Sequence, residues 1–129
     1  MNIRAIAPSD IEAARELLAA NGWGHRVSDP NAFRRLVENS QRVAVAVDGG
    51  AVVGFARGIS DGASNGYLSM VVVAKEHRRR GIGRALVTFV MGGDPGITWV
   101  LRAARPEEAP FFAKLGFVPS TVAMERCRA

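Results

Sequence analysis

Cysteine is all but missing from this chain of 129 residues, where Cys127 is the only one. A lone cysteine closes no internal disulfide, which excludes a cross-linked scaffold and suits a reducing compartment. With no His or Asn beside it, Cys127 reads as part of a final strand rather than as a nucleophile. Long apolar runs are missing too. None reaches the roughly 18 residues that suggest a membrane span. The opening Met1-Asn2-Ile3-Arg4-Ala5-Ile6 lacks the apolar stretch of a secretory signal. The expectation is a cytoplasmic protein that does not engage a membrane. Tyrosine is limited to Tyr67, and lysine to Lys75 and Lys114, so arginine carries nearly all the positive charge. No repeat, low-complexity tract or linker interrupts the chain, which predicts a single domain over residues 1–129.

Hydrophobic residues make up 48% of the chain and charged residues 22%, a globular rather than disordered composition. The formal net charge is +5. Net charge bears on partners, not on fold, and leaves nucleic acid, anionic cofactors and acidic acceptors open. Clustering is more informative: Arg78, Arg79, Arg80 and Arg84 lie within one short stretch.

The chain reads as alternating strands and helices. Ile3 to Ile6 is a short strand. Ser9-Asp10-Ile11-Glu12 has capping-box form, with Ser9 as N-cap and Glu12 reaching back. Ile11, Ala14, Leu17 and Leu18 then share a helical face that ends at Asn21-Gly22. Asp29-Pro30 opens a second helix, with Phe33, Leu36 and Val37 as its apolar face. Val43–Val47 and Val52–Ile59, joined by Asp48-Gly49-Gly50, form a hairpin. After a loop at Asp61-Gly62 and Asn65-Gly66, Tyr67 to Ala74 is a strand whose Val71-Val72-Val73 suggests burial on both faces. Ile82, Leu86, Phe89 and Val90 line a helix that stops at Gly92-Gly93. Ile97 to Leu101 is a strand, Pro106 to Leu115 a helix closed by Gly116, and Val122 to Cys127 a last strand. The sum is one mixed α/β domain.

Chemistry concentrates where the strand at 67–74 turns into a helix through Arg78-Arg79-Arg80-Gly81-Ile82-Gly83-Arg84. A helix N-terminus leaves N–H groups unpaired and carries partial positive charge, so it binds phosphate. Gly81 and Gly83 permit close approach and special dihedrals, and the arginines add charge-assisted hydrogen bonds. A pyrophosphate is a plausible guest. A dinucleotide fingerprint would need a third glycine where Leu86 stands, and a P-loop would need Gly-Lys-Ser/Thr. A plain glycine turn with solvated arginines is the competing reading. Nucleic-acid binding is disfavoured because no aromatics interleave with the arginines.

The wider pattern resembles one family. Arg78-x-x-Gly81-x-Gly83-x-x-Leu86 after the strand Leu68–Val73 is similar to the acetyl-CoA motif of the GNAT family of N-acetyltransferases. Phe111-Phe112-Ala113-Lys114-Leu115-Gly116-Phe117 resembles that family's second motif, and the element order matches along nearly the whole chain. Gly22-Trp23-Gly24, Val53-Gly54-Phe55-Ala56-Arg57 and Ser60-Asp61-Gly62 are similar to small bacterial members. The resemblance implies a mostly antiparallel central sheet, flanked by helices and splayed at its central strands. It implies a V-shaped opening between the strands at 67–74 and 97–102. There the pantetheine arm of acetyl-CoA would pair with backbone near Val71, Val72 and Val73. Residues Arg78, Arg79, Arg80, Gly81, Ile82, Gly83 and Arg84 would hold the pyrophosphate. Leu101 to Arg105 and Phe112 would wall the other side. It also implies acetyl transfer to a primary amine of a small molecule or peptide by direct attack in a ternary complex, with a backbone N–H near Val71 as oxyanion donor. Members often form homodimers. No metal is expected.

Two departures bear on catalysis. The family's acidic tyrosine is Phe112 here, which donates no proton, and the acid of many relatives falls at Met70. An asparagine common before the second motif falls near Arg105. A thiol of pKa about 8.5 leaves with less help than an alcohol. An ammonium of pKa ~10 still has to lose a proton. His25 has a suitable pKa range, against its ordinary reading as a solvated loop histidine. Asp61 is the other candidate base, against its reading as a turn residue. Glu107 and Glu108 suit a helix N-terminus. Trp23 either walls an acceptor pocket or simply packs. Tyr67 begins a strand away from the expected thioester, and His77 reads as exposed. A non-catalytic acyl-CoA-binding or regulatory module is the alternative function.

Overall fold

A computed structural model describes residues 1–129. Five strands form one sheet in the order β1-β2-β3-β4-β5: Asn2–Ala5, Arg42–Asp48, Ala51–Ser60, Asn65–Val73 and Thr98–Leu101. The first three pairings are antiparallel and β4 pairs with β5 in parallel. Four α-helices flank the sheet: α1 (Ile11–Leu18), α2 (Pro30–Glu38), α3 (Ile82–Met91) and α4 (Glu108–Ala113). This is the mostly antiparallel, helix-flanked sheet expected. No helix is long and apolar enough to cross a membrane.

Local chemistry explains most boundaries. The Asp29 carboxylate accepts from the N–H groups of Asn31 and Ala32, and Pro30 fills the first helical position of α2. Gly49 and Gly50, both at positive φ, turn β2 into β3. At α1 the cap sits earlier than Ser9 and Glu12. A short 3₁₀ turn over Pro8–Asp10 precedes the helix, and the Asp10 carboxylate reaches back to the N–H of Ala7 at 2.7 Å. Asp10 is also clamped by the Arg4 guanidinium through two bonds of 2.6 and 3.0 Å.

These contacts, the Arg4 bonds foremost, hold the Asp10 carboxyl below the usual carboxylate range, against an opposing effect of burial. The folded state therefore binds this proton more weakly than the unfolded chain. The resulting stabilisation is complete above the unfolded value of about 3.9 and disappears as pH falls through the lower folded value. Asp10→Asn is expected to lower the urea midpoint at pH 7, with the gap to the native protein narrowing below about pH 4. An equal gap at pH 7 and pH 3 would refute the role of the carboxylate.

Two apolar layers cover the sheet. On one face α1 and α2 bury Leu18, Phe33 and Val37 against Val43, Val45, Phe55 and Val72. On the other, α3 buries Ile82, Leu86, Val87 and Val90 against Ala44, Ala46, Val53, Ala56 and Leu68. Phe89 does not share the α3 core face. It is 48% exposed and Val87 takes its place, because the helix seats on β3 through the side centred between Leu86 and Val90. A Cβ at Gly54 would meet Leu86, Ala46 and Ile82 at 2.8–3.3 Å, so only glycine lets α3 lie this close. Phe55 is fully buried, its ring 6.0 Å from that of Phe33. Phe55→Ala is expected to cost about 3–5 kcal/mol, read from urea unfolding.

The last predicted strand is not formed. Val118, Val122 and Met124 are 82–96% exposed, and residues 122–127 pair with no strand. The Ser120 hydroxyl instead accepts from the N–H groups of Val122 and Ala123, closing a local turn. Propensity for extension does not make a strand without a neighbouring ladder.

Candidate active site

The site begins with an irregularity in β4. Register pairs Arg57 with Ser69 and Phe55 with Val72, so Met70 and Val71 together face Ala56 across a bulge. Met70 lies at φ 56°, a left-handed conformation that costs a non-glycine residue about 1–2 kcal/mol. Its side chain is buried in the α1–α2 layer and holds the bulge in place. The bulge swaps the faces of the strand. Val72 packs under α1 and α2, while Val71 and Val73 turn toward α3 and are only half-buried. Burial of all three valines on both faces is therefore corrected, because β4 beyond the bulge lines an opening.

That opening exists because β5 is short. Its pairing with β4 runs from Asn65↔Thr98 to Leu68↔Leu101 and stops. Beyond Leu68 no strand pairs with the β5 side of β4, so the backbone of residues 69–73 presents an unpaired edge. Just past this edge, Gly81 at φ 80° caps α3. The first helical hydrogen bond is Ala85 N–H to Gly81 carbonyl, at 3.0 Å. The N–H groups of Ile82, Gly83 and Arg84 accordingly lack an intrahelical acceptor. No side chain caps this end and no acidic residue lies in its first turn.

α4 closes the far wall. A Cβ at Gly83 would lie 3.0 Å from Phe111 Cζ and 3.7 Å from Val73 Cγ2. The two sequence motifs thus meet directly: the aromatic of the second sits on the glycine of the first. Phe112 is 6% exposed and contacts Phe111 and Phe117 edge-on, with centroids at 4.9 and 5.8 Å. The resulting open cleft, about 520 Å³, runs from Trp23 past Val71–Val73 to the α3 turn and α4. Arg78, Arg79, Arg84, Arg105 and Lys114 line it against only Glu107 and Glu108, which makes it an electropositive cleft.

A family model, the acetyltransferase (GNAT) domain, matches residues 39–119. The chain belongs to the GNAT family. Its fold is that of acyl-transferring enzymes. A solved protein of this family from Xanthomonas campestris pv. campestris superposes with a TM-score of 0.80 at 28% identity, covering 99% of this chain and 94% of that one. An aminoglycoside acetyltransferase from an uncultured soil sample gives 0.71 at 23% identity, covering 99% and 98%. An aminoglycoside 6'-N-acetyltransferase complexed with coenzyme A gives 0.60 at 24% identity, covering 69% of this chain and 52% of that one. No curated protein matches the chain.

Within this GNAT domain, Val71, Val72, Val73, Arg78, Arg79, Gly81, Ile82, Gly83, Arg84 and Phe112 all line the cleft, and Trp23 lies at its mouth. Arg80 does not line it. Arg78 is already engaged, with Nε donating to the Val73 carbonyl at 2.9 Å and Nη2 to Asn21 Oδ1 at 2.8 Å. It ties the turn to β4 and to the helical turn Ala19–Trp23 that follows α1. Trp23 carries the Arg105 guanidinium over its ring at 5.1 Å. Glu108 accepts from the Arg105 N–H at 3.2 Å, a helix-start role like that read from its position.

The candidate bases fall outside the cleft. His25 is exposed in the loop before α2 and lines no part of it. Asp61 accepts from the Ser64 hydroxyl and from the N–H groups of Ala63, Ser64 and Asn65. The Ser64 hydroxyl foremost, with those backbone donors, holds its carboxyl far below the usual range. So weak a base suits a turn, not proton abstraction. His77 is not the exposed residue expected. Its side chain is 22% exposed, Nε2 lies 3.1 Å from Asp48 Oδ2, and Nδ1 is buried without a partner. It pins the β2–β3 turn beside the cleft. Sequence spacing gives no signal for that pairing, since the partners lie 29 residues apart.

Proposed function

We propose that residues 1–129 act as one acetyl-CoA-dependent N-acetyltransferase domain, with a primary amine of a small molecule or peptide as acceptor. The observation that carries the reading is the juxtaposition of the unpaired β4 edge at residues 69–73 with the uncapped start of α3 at Gly81. An extended amide-bearing arm would complete the first, as an added strand would. A pyrophosphate would complete the second, at the free N–H groups of Ile82, Gly83 and Arg84. Arg79 and Arg84 supply charge, and Phe112 with Val71 and Val73 supplies an apolar wall. Coenzyme A in one relative and aminoglycoside acceptors in two support the reading. When bound, acetyl-CoA supplies the activated acyl thioester. The protein positions the amine against it, excludes water with Trp23 and Phe112, and offers backbone N–H groups near Val71 to developing negative charge.

Neither Phe112 nor Met70 can move a proton, which leaves water, the acceptor's own equilibrium and the cleft-lining carboxylates of Glu107 and Glu108 to take it. That feature favours the second reading, a non-catalytic acyl-CoA-binding module. Calorimetric titration with acetyl-CoA, followed by an amine screen with thiol release as readout, separates the two. Binding with turnover supports the transferase, and binding without turnover supports the module. No binding by folded protein overturns both.

A further inference from the structure

Arg57 has no use in the cleft described above. It lies on β3 between Val43 of β2 and Ser69 of β4 in register, on the face covered by α1 and α2. Its Nε donates to the Ser40 hydroxyl at 2.8 Å, and Ser40 in turn donates to the Leu36 carbonyl at 2.7 Å. The guanidinium is thereby fixed by one nitrogen, and neither Nη makes a hydrogen bond within the protein. The ion pairs of the fold are Arg4–Asp10, Arg15–Glu12, Arg34–Glu38, His77–Asp48, Arg102–Glu125 and Arg105–Glu108, and none involves Arg57. Burial lowers its pKa. Tyr67 raises it, and Arg26, a second arginine without an ion-pair partner, lowers it.

A half-buried guanidinium with a preset orientation and two free Nη groups is an incomplete anion site. Withdrawing such a charge from water without a counter-ion is costly, and a planar fork matches carboxylate or phosphate bidentately. The position is informative. Ser69, the register partner of Arg57, lies two residues before Val71, on the other side of the Met70 bulge. Ser69, half-buried like Arg57 on the α1–α2 face, is the first residue of the unpaired β4 edge.

We infer that Arg57 binds an oxyanion group, carboxylate or phosphate, of the amine acceptor, so that the substrate class is a short amine carrying an anionic group several ångströms from its nitrogen. The inference rests on the amine-acetyltransferase reading, and the experiment keeps the two apart. Acetyl transfer is measured with 4-aminobutanoate against butylamine, and with O-phosphoethanolamine against ethanolamine. The native protein, Arg57→Gln and Arg57→Lys are compared. Glutamine can keep the Ser40 contact and removes a desolvated charge, so folding is retained, as a thermal melt will check.

The native protein is expected to favour one anionic amine over its neutral counterpart by about 10- to 100-fold in kcat/KM, the worth of a charge-assisted hydrogen bond. Arg57→Gln is expected to bring that ratio near one, chiefly through KM, with Arg57→Lys intermediate and acetyl-CoA affinity unchanged. Which pair responds distinguishes carboxylate from phosphate. A native ratio near one for both pairs, or a preference that survives Arg57→Gln, overturns the assignment. If no amine is acetylated, calorimetry of 4-aminobutanoate and O-phosphoethanolamine against the free protein decides. Binding that needs Arg57 upholds the anion site and removes the transferase reading, whereas absence of binding removes both.

Discussion

Gly83→Glu is expected to abolish acetyl-CoA binding, lowering affinity by at least about 100-fold, in a protein that still folds. Three N–H groups at the start of α3 lack an internal acceptor, and Gly83 supplies the middle one. Loss of two hydrogen bonds to a charged group, at about 1.5–3 kcal/mol each, is enough for that change. The glutamate carboxylate would satisfy the helix end itself and repel a pyrophosphate. Acids in a first helical turn stabilise the helix, so the charge does not threaten folding. The side chain has a steric effect as well, because a Cβ here lies 3.0 Å from Phe111 Cζ. Gly83→Ala introduces that contact without the charge and is expected to weaken binding far less. Calorimetry on both variants separates the effects. Native affinity in folded Gly83→Glu would rule out phosphate binding at this turn.

Phe112→Tyr is expected to raise acetyl transfer, or thioester hydrolysis without an acceptor, by up to about 100-fold, at the lower end of what a positioned general acid supplies. Phe112 lines the cleft while packing between Phe111 and Phe117. A phenol there has two outcomes that stability and rate report together. Facing the cleft, the hydroxyl gains a proton-transfer role at little cost in stability, and the gain fades as pH approaches about 10. Facing the core, it is buried without a partner and costs about 1–3 kcal/mol with no gain in rate. Destabilisation with unchanged turnover would show that position 112 serves only the aromatic cluster.

Much of the site was legible because its signals are local. Asp29-Pro30 starts α2 through bonds spanning two or three residues, and Asp48-Gly49-Gly50 closes its hairpin by the same short-range logic. The glycine-arginine turn marks an anion-ready helix start, and Phe111 to Phe117 marks the helix that walls it. The errors occurred where the deciding partner is distant in sequence. Arg78 reads as a phosphate ligand, and its tie to Asn21, 57 residues away, has no local signal. His77 reads as exposed until the β2–β3 turn delivers Asp48. Cap choice at α1 went to Asp10 because β1 delivers Arg4 beside it.

By itself the sequence determined the family, the order of elements as far as α4 and the turn at Arg78–Arg84, because hydrophobic period, capping residues and glycine placement act over a few neighbours. Tertiary structure alone decided three things. A bulge at Met70 and a short β5 convert a strand that reads as fully buried into one with a free edge. Gly83 and Phe111, from separate motifs, are pressed into one wall. The run at 122–127 opens in a local turn and does not join the sheet. Each depends on which backbone lies alongside which, and contacts between distant segments are written in the packing of the whole chain rather than in any local stretch of it.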